Sequence, residues 1–413
     1  MLVQLRDLLR GISRSTITFV FVLIVLSAVA AQAGVASADE PDPAATPLRS
    51  AISADDIDKL EITAIEELAR GPYLWQIPSP DGTKALVSLS HSEHALADNK
   101  IPITTFDLWV LDEASGEKEQ LAEKVSTFSW SPDGAAVAYV VPAASRGIKG
   151  ALYVLDLADK TPRQIATVDL VQGFRYAQWL ATDEIVFVYE GYPWAVQSDG
   201  SNAHQLNDLH LDHIRPKESD VLAAYDGDVM SYDISPDGKH IAYTRVVANP
   251  ESADPTRAYR DDVWVADLDG QNAVLVEKSA ATLRQSWSPS GDMFVYAPLP
   301  LPEERAYDIS LTVFDVVSGE RHAIFEAPNQ YTTGSRPTWT VDSSMLAYRE
   351  AVWGDTPKFI LWISSADGSK QKSFADVDVF QRKNMTLSWA LDGRSLLVES
   401  QWKRYRIEFE VAP

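Results

Sequence analysis

Residues 128–140 read Phe128-Ser-Trp-Ser-Pro-Asp-Gly-Ala-Ala-Val-Ala-Tyr-Val140. Trp130 closes a short apolar-alternating run. Ser131-Pro132-Asp133-Gly134 then supplies turn chemistry. Proline presets φ at the second turn position, aspartate bonds its own downstream backbone, and glycine takes φ > 0. Val137, Ala138 and Tyr139 begin a second run of strand formers. The unit is strand, tight turn, strand.

The unit recurs. Ser79-Pro80-Asp81-Gly82 leads into Ala85-Leu-Val87, Ile234-Ser-Pro-Asp-Gly238 into Ile241-Ala-Tyr243, and Trp287-Ser-Pro-Ser-Gly291 into Met293-Phe-Val-Tyr296. Weaker copies start at Trp179, Trp339 and Trp389. The seven turn positions are 81, 133, 182, 237, 290, 342 and 392, with steps of 52, 49, 55, 53, 52 and 50. So steady a period predicts a repeat architecture. It overrides the two or three domains that 413 residues suggest by length alone. The tryptophans before the turns read as packing between neighbouring sheets.

Each repeat carries a third strand, among them Phe106–Asp112, Ala151–Asp156, Asp262–Asp267 and Phe359–Ile363. A Gly- or Asp-bearing turn and a more polar fourth strand follow, as suits an outer edge. The seventh copy ends after its third strand, near Tyr405–Phe409. The missing strand is found at the other end: Glu66-Glu-Leu-Ala-Arg70 precedes its turn as Glu119-Gln-Leu-Ala-Glu123 precedes the next one. The expectation is an all-β, seven-bladed propeller of four-stranded antiparallel blades. Residues 61–70 complete the last blade and close the ring, which removes free sheet edges.

Residues 1–38 read as an export signal: Arg6, Arg10 and Arg14, then an apolar run from Ile17 to Ala31, then Ala36-Ser-Ala38 as a cleavage site. The alternative is a retained anchor over residues 17–33. Residues 39–58 read as a flexible acidic, Pro- and Ala-rich linker, and residues 59–413 as the propeller. The chain is expected to be exported, periplasmic or extracellular, and monomeric. Its net charge of −23 disfavours nucleic acid or an anionic membrane surface as partner. It has no cysteine, which removes disulfides and thiolate chemistry.

The Ser-Pro-Asp-Gly turn after tryptophan, the Ile-Ala-Tyr after it and the Trp-Val-x-Asp third strand resemble the TolB-like propeller family. The same repeat is seen in propellers of the prolyl oligopeptidase group and in oligogalacturonate lyases. The resemblance covers residues 60–413 and implies the fold. The chain lacks the Gly-His and Trp-Asp signature of WD-type propellers. It departs from TolB itself in having a linker where TolB has an N-terminal α/β domain, and seven units where the TolB propeller has six. The lyase group uses a metal and histidines near the channel.

Length variation concentrates between second and third strands, at 88–105, 141–150, 245–261, 297–309 and 349–358, and in the interblade stretch 207–229. These loops share one face, where binding is expected. Deletion of 207–229 is expected to abolish binding and spare the thermal melt. Arg175, Arg284, Arg336 and Arg382, just before their blades' turns, are candidates for an anionic ligand. Trp75, Tyr176 and Trp353 are candidates for stacking on sugar or peptide. His91 with His94, and His210 with His213, are candidate metal ligands, aided by Asp212 or Glu218. No catalytic residue is nominated, since the chain has no G-x-S-x-G elbow and no phosphate loop, and no segment follows the propeller to form a hydrolase domain. The reading is a binding scaffold for a protein, peptide or carbohydrate, with no cofactor. The alternatives are a metal-dependent carbohydrate lyase and a membrane-anchored accessory subunit.

Overall fold

The structure is a computed structural model. It describes residues 51–70, 73–95, 102–142, 149–168, 177–210, 229–250, 259–298, 309–327, 331–332, 337–352, 358–375, 377–381, 385–400 and 403–412. The export signal expected at 1–38, and most of the linker, lie outside them.

Seven antiparallel sheets follow one another along the chain. Blade 1 is Tyr73–Pro78, Lys84–Ala95, Pro102–Asp112 and Lys118–Val125. Blade 2 is Thr127–Trp130, Ala136–Val141, Gly150–Asp156 and Pro162–Val168. Blade 3 is Ala177–Trp179, Glu184–Tyr189, Tyr192–Gln197 and His204–Gln205. Blade 4 is Val229–Ile234, His240–Ala248, Tyr259–Asp267 and Val274–Glu277. Blade 5 is Ala280–Trp287, Met293–Pro298, Ile309–Asp315 and Arg321–Ala327. Blade 6 has a split first strand, Tyr331–Thr332 and Thr338–Trp339, then Met345–Val352, Lys358–Ser365 and Gln371–Phe374. Blade 7 is Met385–Trp389, Ser395–Ser400 and Lys403–Val411. Its fourth strand is Leu60–Arg70, paired from Leu60↔Val411 to Arg70↔Lys403. The N-terminal strand therefore sits where its sequence places it.

The repeated turn is identical in all seven blades. The fourth turn residue donates its N–H to the first turn residue's carbonyl, from Gly82 to Ser79 (2.9 Å) through Gly393 to Ala390 (3.1 Å). It always has positive φ: glycine in five blades, Asp183 at 65° in blade 3 and Ser343 at 63° in blade 6. Blade 3 thus carries its aspartate one place later than the turns with Asp81, Asp133, Asp237, Asp342 and Asp392, in the left-handed position that short polar side chains tolerate.

Hydrophobic clusters fill the seams between blades. Leu86, Leu108, Phe128 and Tyr139 join blades 1 and 2. Val154, Ile185 and Phe187 join blades 2 and 3. Val186, Tyr232 and Tyr243 join blades 3 and 4, and Val263, Trp287 and Phe314 join blades 4 and 5. The seam tryptophans also bridge by hydrogen bonds: Trp130 Nε1 donates to Ile77 O (2.9 Å) and Trp287 Nε1 to Asp233 O (3.0 Å). These links tie blades 2 and 5 to their predecessors.

Two expectations need correction. Residues 51–58 are not the end of a flexible linker. Ala54–Lys59 forms a 3₁₀ turn capped by Ser53, and Ile52 and Ile57 are buried in the apolar cluster between blades 6 and 7. Three apolar side chains, Ile52, Ile57 and Leu60, outweigh the polar average of the stretch. The stretches 88–105 and 245–261 are in large part extensions of the blade ladders. Pairing runs out to Ala95↔Pro102 in blade 1 and to Ala248↔Tyr259 in blade 4. Hydrogen bonding to a partner strand satisfies backbone that a free loop would leave to water.

Candidate functional site

The two faces of the propeller are built differently. One face carries the turns between first and second strands and those between third and fourth. Its carboxylates are committed to the turns. Asp81 Oδ1 accepts from Ser79 Oγ (2.6 Å) and from the Thr83 N–H (3.0 Å). These bonds, the Ser79 hydroxyl first, hold the Asp81 carboxyl down at about 2. Asp133 is lowered in the same way, by Ser131 Oγ and then the Ala135 N–H. Asp237 and Asp342 repeat the contact. Each aspartate caps its own turn, on its own blade.

A cleft of about 650 Å³ opens on this face between blades 2 and 3. Asp133, Asp156, Asp159, Asp183, Arg163 and Trp179 line it. Trp179 differs here from Trp130 and Trp287: its indole N–H donates to Asp183 Oδ1 in its own blade (3.0 Å), not to blade 2. The other carboxylates bind their own turns: Asp156 takes the Ala158 N–H (2.7 Å) and Asp159 the Thr161 N–H (2.8 Å). Arg163 Nη2 donates to Ser198 O across the gap (2.9 Å). The groups are structural.

The opposite face carries the hairpins between second and third strands, and among the described residues their ladders differ in length. Blade 3 closes in two residues, Glu190-Gly191, whereas the blade 1 ladder runs eleven and twelve residues. His210 packs into the blade 3 hairpin, its ring edge-on to Tyr192 at 4.9 Å between centroids. Gly191 has φ +80°, and a Cβ there would lie 2.5 Å from His210 Nε2. The histidine is therefore an exposed ring docked on a tight turn. The start of the 207–229 stretch is also anchored. Asn207 Nδ2 donates to Leu268 O of blade 4 (2.9 Å), and Leu209 is buried.

The other candidates divide in two. His91 and His94 lie in the second strand of blade 1, not in a loop, and Trp75 and Arg284 lie in the first strands of blades 1 and 5. Arg175, Tyr176, Arg336, Arg382, Trp353 and His213 lie outside the described residues, as do Asp212 and Glu218. The arginine ring and the second histidine pair are therefore not brought together by anything described. Among the described residues no three histidine or carboxylate side chains group as metal ligands.

Buried charge was missed by the sequence reading. Arg349 is 2% exposed, with its guanidinium 4.4 Å over the Phe359 ring, and burial lowers it to about 10. Glu350 accepts from Trp362 Nε1 (2.7 Å). Arg404, 2% exposed, gives both terminal nitrogens to Glu113 of blade 1. Charged residues standing in otherwise apolar second strands (Arg349 and Glu350 after Met-Leu-Ala-Tyr, Glu399 after Leu-Leu-Val) are the one sequence signal that marks these positions.

These features define a seven-bladed propeller with one uniform and one variable face. No family model matches the sequence, and no curated protein matches it. Solved structures do. An oligogalacturonate lyase in complex with manganese aligns over 84% of this chain and 91% of its own, at 16% identity and a TM-score of 0.55. The propeller domain of the trilobed protease from Pyrococcus furiosus, described as having an open velcro topology, aligns over 84% and 96%, at 12% identity and a TM-score of 0.51. TolB from Acinetobacter baumannii aligns more loosely, over 78% and 64%, at 14% identity and a TM-score of 0.40. At these identities the likeness is one of fold. The N-terminal strand of the present chain pairs with its last blade.

Proposed function

We propose that this protein is an exported, monomeric binding scaffold that engages a protein or peptide partner through the face of the second-to-third-strand hairpins. One observation carries the reading: the turn face repeats a single self-satisfied turn seven times, while the described hairpins differ, from a two-residue closure in blade 3 to long ladders in blades 1 and 4. Variable segments on a rigid frame supply specificity at little cost in stability. Ile52 N–H donates to Gly393 O in the turn of blade 7 (3.3 Å), so the chain joins the propeller on the turn face. Carbohydrate is the second ligand class, and the manganese-bound lyase neighbour is the reason to test it.

The test places photo-crosslinking residues at Ala95, Ala248 and Val352 on the hairpin face, and at Val317 and Leu391 on the turn face, in the producing cell. Crosslinks from the hairpin positions alone support the reading; crosslinks from the turn positions alone overturn it. Deleting residues 211–228, which spares Asn207 and Leu209, should remove the crosslinks and leave the melt in place. Elemental analysis of the purified chain, with a His210→Ala/His213→Ala variant, separates the lyase reading. Stoichiometric metal lost in the variant favours the enzyme.

A further inference from the structure

The seam between blades 7 and 1 sets two carboxylates against one guanidinium. Arg404 lies directly opposite Glu399 in the blade 7 ladder, a cross-strand pair placed to meet. Its fork goes elsewhere. Nη1 donates to Glu113 Oε2 and Nη2 to Glu113 Oε1, each at 2.8 Å, across the seam to blade 1. Glu399 is left with a long contact from Thr386 Oγ1 (3.4 Å to Oε2). Its Oε1 is sealed from solvent without a hydrogen-bond partner, and so is Arg404 Nε.

The surroundings of Glu399 are defined on each side. Thr386 faces it from the first strand of the blade, Arg404 from the third, and Glu113 from blade 1. Ala69 of the N-terminal strand is the partner of Arg404 and carries no charge. Arg406 lies two residues along the same face, with its Nε buried and unpartnered. Lys403 is held at the rim by Glu67 (2.8 Å).

We propose that Arg404 is a toggle coupling closure of the ring to protonation of Glu399: a neutral Glu399 leaves the guanidinium to Glu113 across the seam, and an ionised Glu399 draws it back into its own blade. Proton loss to solvent is the only chemical step. Burial is the main reason the Glu399 carboxyl stands above its ordinary value, at about 7; Arg404 and Thr386 pull it down and Glu113 pushes it up. The sign follows. Because the folded value is the higher one, the stabilisation is complete below the ordinary carboxylate value of 4.5 and is lost as pH rises through about 7. The seam is tightest in mild acid and loosens above neutrality, with the opening confined to Leu60–Arg70 and Lys403–Val411.

Amide hydrogen exchange on the full chain between pH 5 and 8, corrected for intrinsic exchange, tests this. Protection of the 60–70 and 403–411 peptides should fall about tenfold or more across that range, as expected when a proton is bound more tightly by the closed form. Peptides from blades 3 and 4 should not change. Glu399→Gln should hold the low-pH protection up to pH 8. Glu113→Gln should also remove the pH dependence, because Arg404 is then free to pair with Glu399 and lower its titration out of the range. A purely structural pair would instead lose protection equally at every pH. A flat wild-type profile, or an unchanged pH dependence in Glu113→Gln, overturns the toggle. The wild-type and Glu113→Gln profiles suffice if Glu399→Gln does not fold.

Discussion

Blade 7 meets its two neighbours with opposite materials. Against blade 6 and the N-terminal turn it presents Trp389, Leu396, Val398, Tyr405, Ile407 and Phe409, all in one apolar cluster with Ile52, Ile57 and Phe380. Against blade 1 it presents the alternate residues of the same strands, Glu399, Arg404 and Arg406 with Leu397 among them. Among the described residues, the apolar side chains that blade 1 offers there are Ala85, Val87, Leu111 and Trp109. One strand ladder thus serves an oil-like seam and an ionic seam, because successive side chains point to opposite faces. The apolar seam gains stability from area, about 1.5–3 kcal/mol for each large side chain buried. The ionic seam gains little net stability, since desolvation offsets attraction. Its gain is in specificity: Glu113 and Arg404 stand 291 positions apart in sequence and must find one another for the ring to close.

Four substitutions sharpen this contrast. The largest effect is expected at Phe409→Ala. Its ring lies 5.5 Å from Phe374 and 5.9 Å from Trp389, so the cavity should cost about 3–5 kcal/mol, read as a shift in urea midpoint at constant slope. A loss under about 1 kcal/mol would mean that the apolar seam does not hold the blade. Next is Arg404→Ala, which strands two carboxylates and should cost about 3 kcal/mol at pH 7. Combining Arg404→Met with Glu113→Leu and Glu399→Leu should recover most of that loss in the same urea titration. If the triple variant is no better than the single one, the charges contribute net stability to the seam.

Gly82→Ala is smaller. Gly82 has φ +69°, and a Cβ would fall 2.7 Å from Leu391 Cδ1 across the closing seam. The strained φ alone costs about 1–2 kcal/mol. Leu391→Ala should relieve the clash and leave that residue, which thermal melts of the single and double variants would resolve. The smallest effect is expected at Lys403→Ala. Its pair with Glu67 is about one third exposed, so the change should be about 0.5 kcal/mol or less and vanish in high salt. A larger, salt-resistant loss would make the rim part of the buried latch.

The turn chemistry made most of the fold legible. Pro132 and Asp133 announce a turn without reference to anything distant, and a local signal repeated at a steady period counts the blades. Leu60–Arg70 was legible as the last strand because it carries the same Glu-rich edge pattern as Lys118–Val125. The candidate site was less so. His210 reads as a possible ligand in sequence, yet the structure docks it on Tyr192 and Gly191, a contact that depends on a left-handed glycine. Ile52 and Ile57 vanish into the average of an acidic stretch, though each is buried.

The sequence by itself determined the number of blades, their strand order, the turn at each inner corner and the strand that completes the last blade. All are local patterns, set by backbone sterics and period-two side-chain alternation within a few residues. Tertiary structure alone decided which face of blade 7 is apolar, that Arg404 answers to Glu113 before Glu399, and that Trp179 bonds within its own blade at the edge of a cleft. Those outcomes depend on which chain-distant groups share a dry seam. Burial strengthens electrostatics and penalises unpaired charge only once the seam exists.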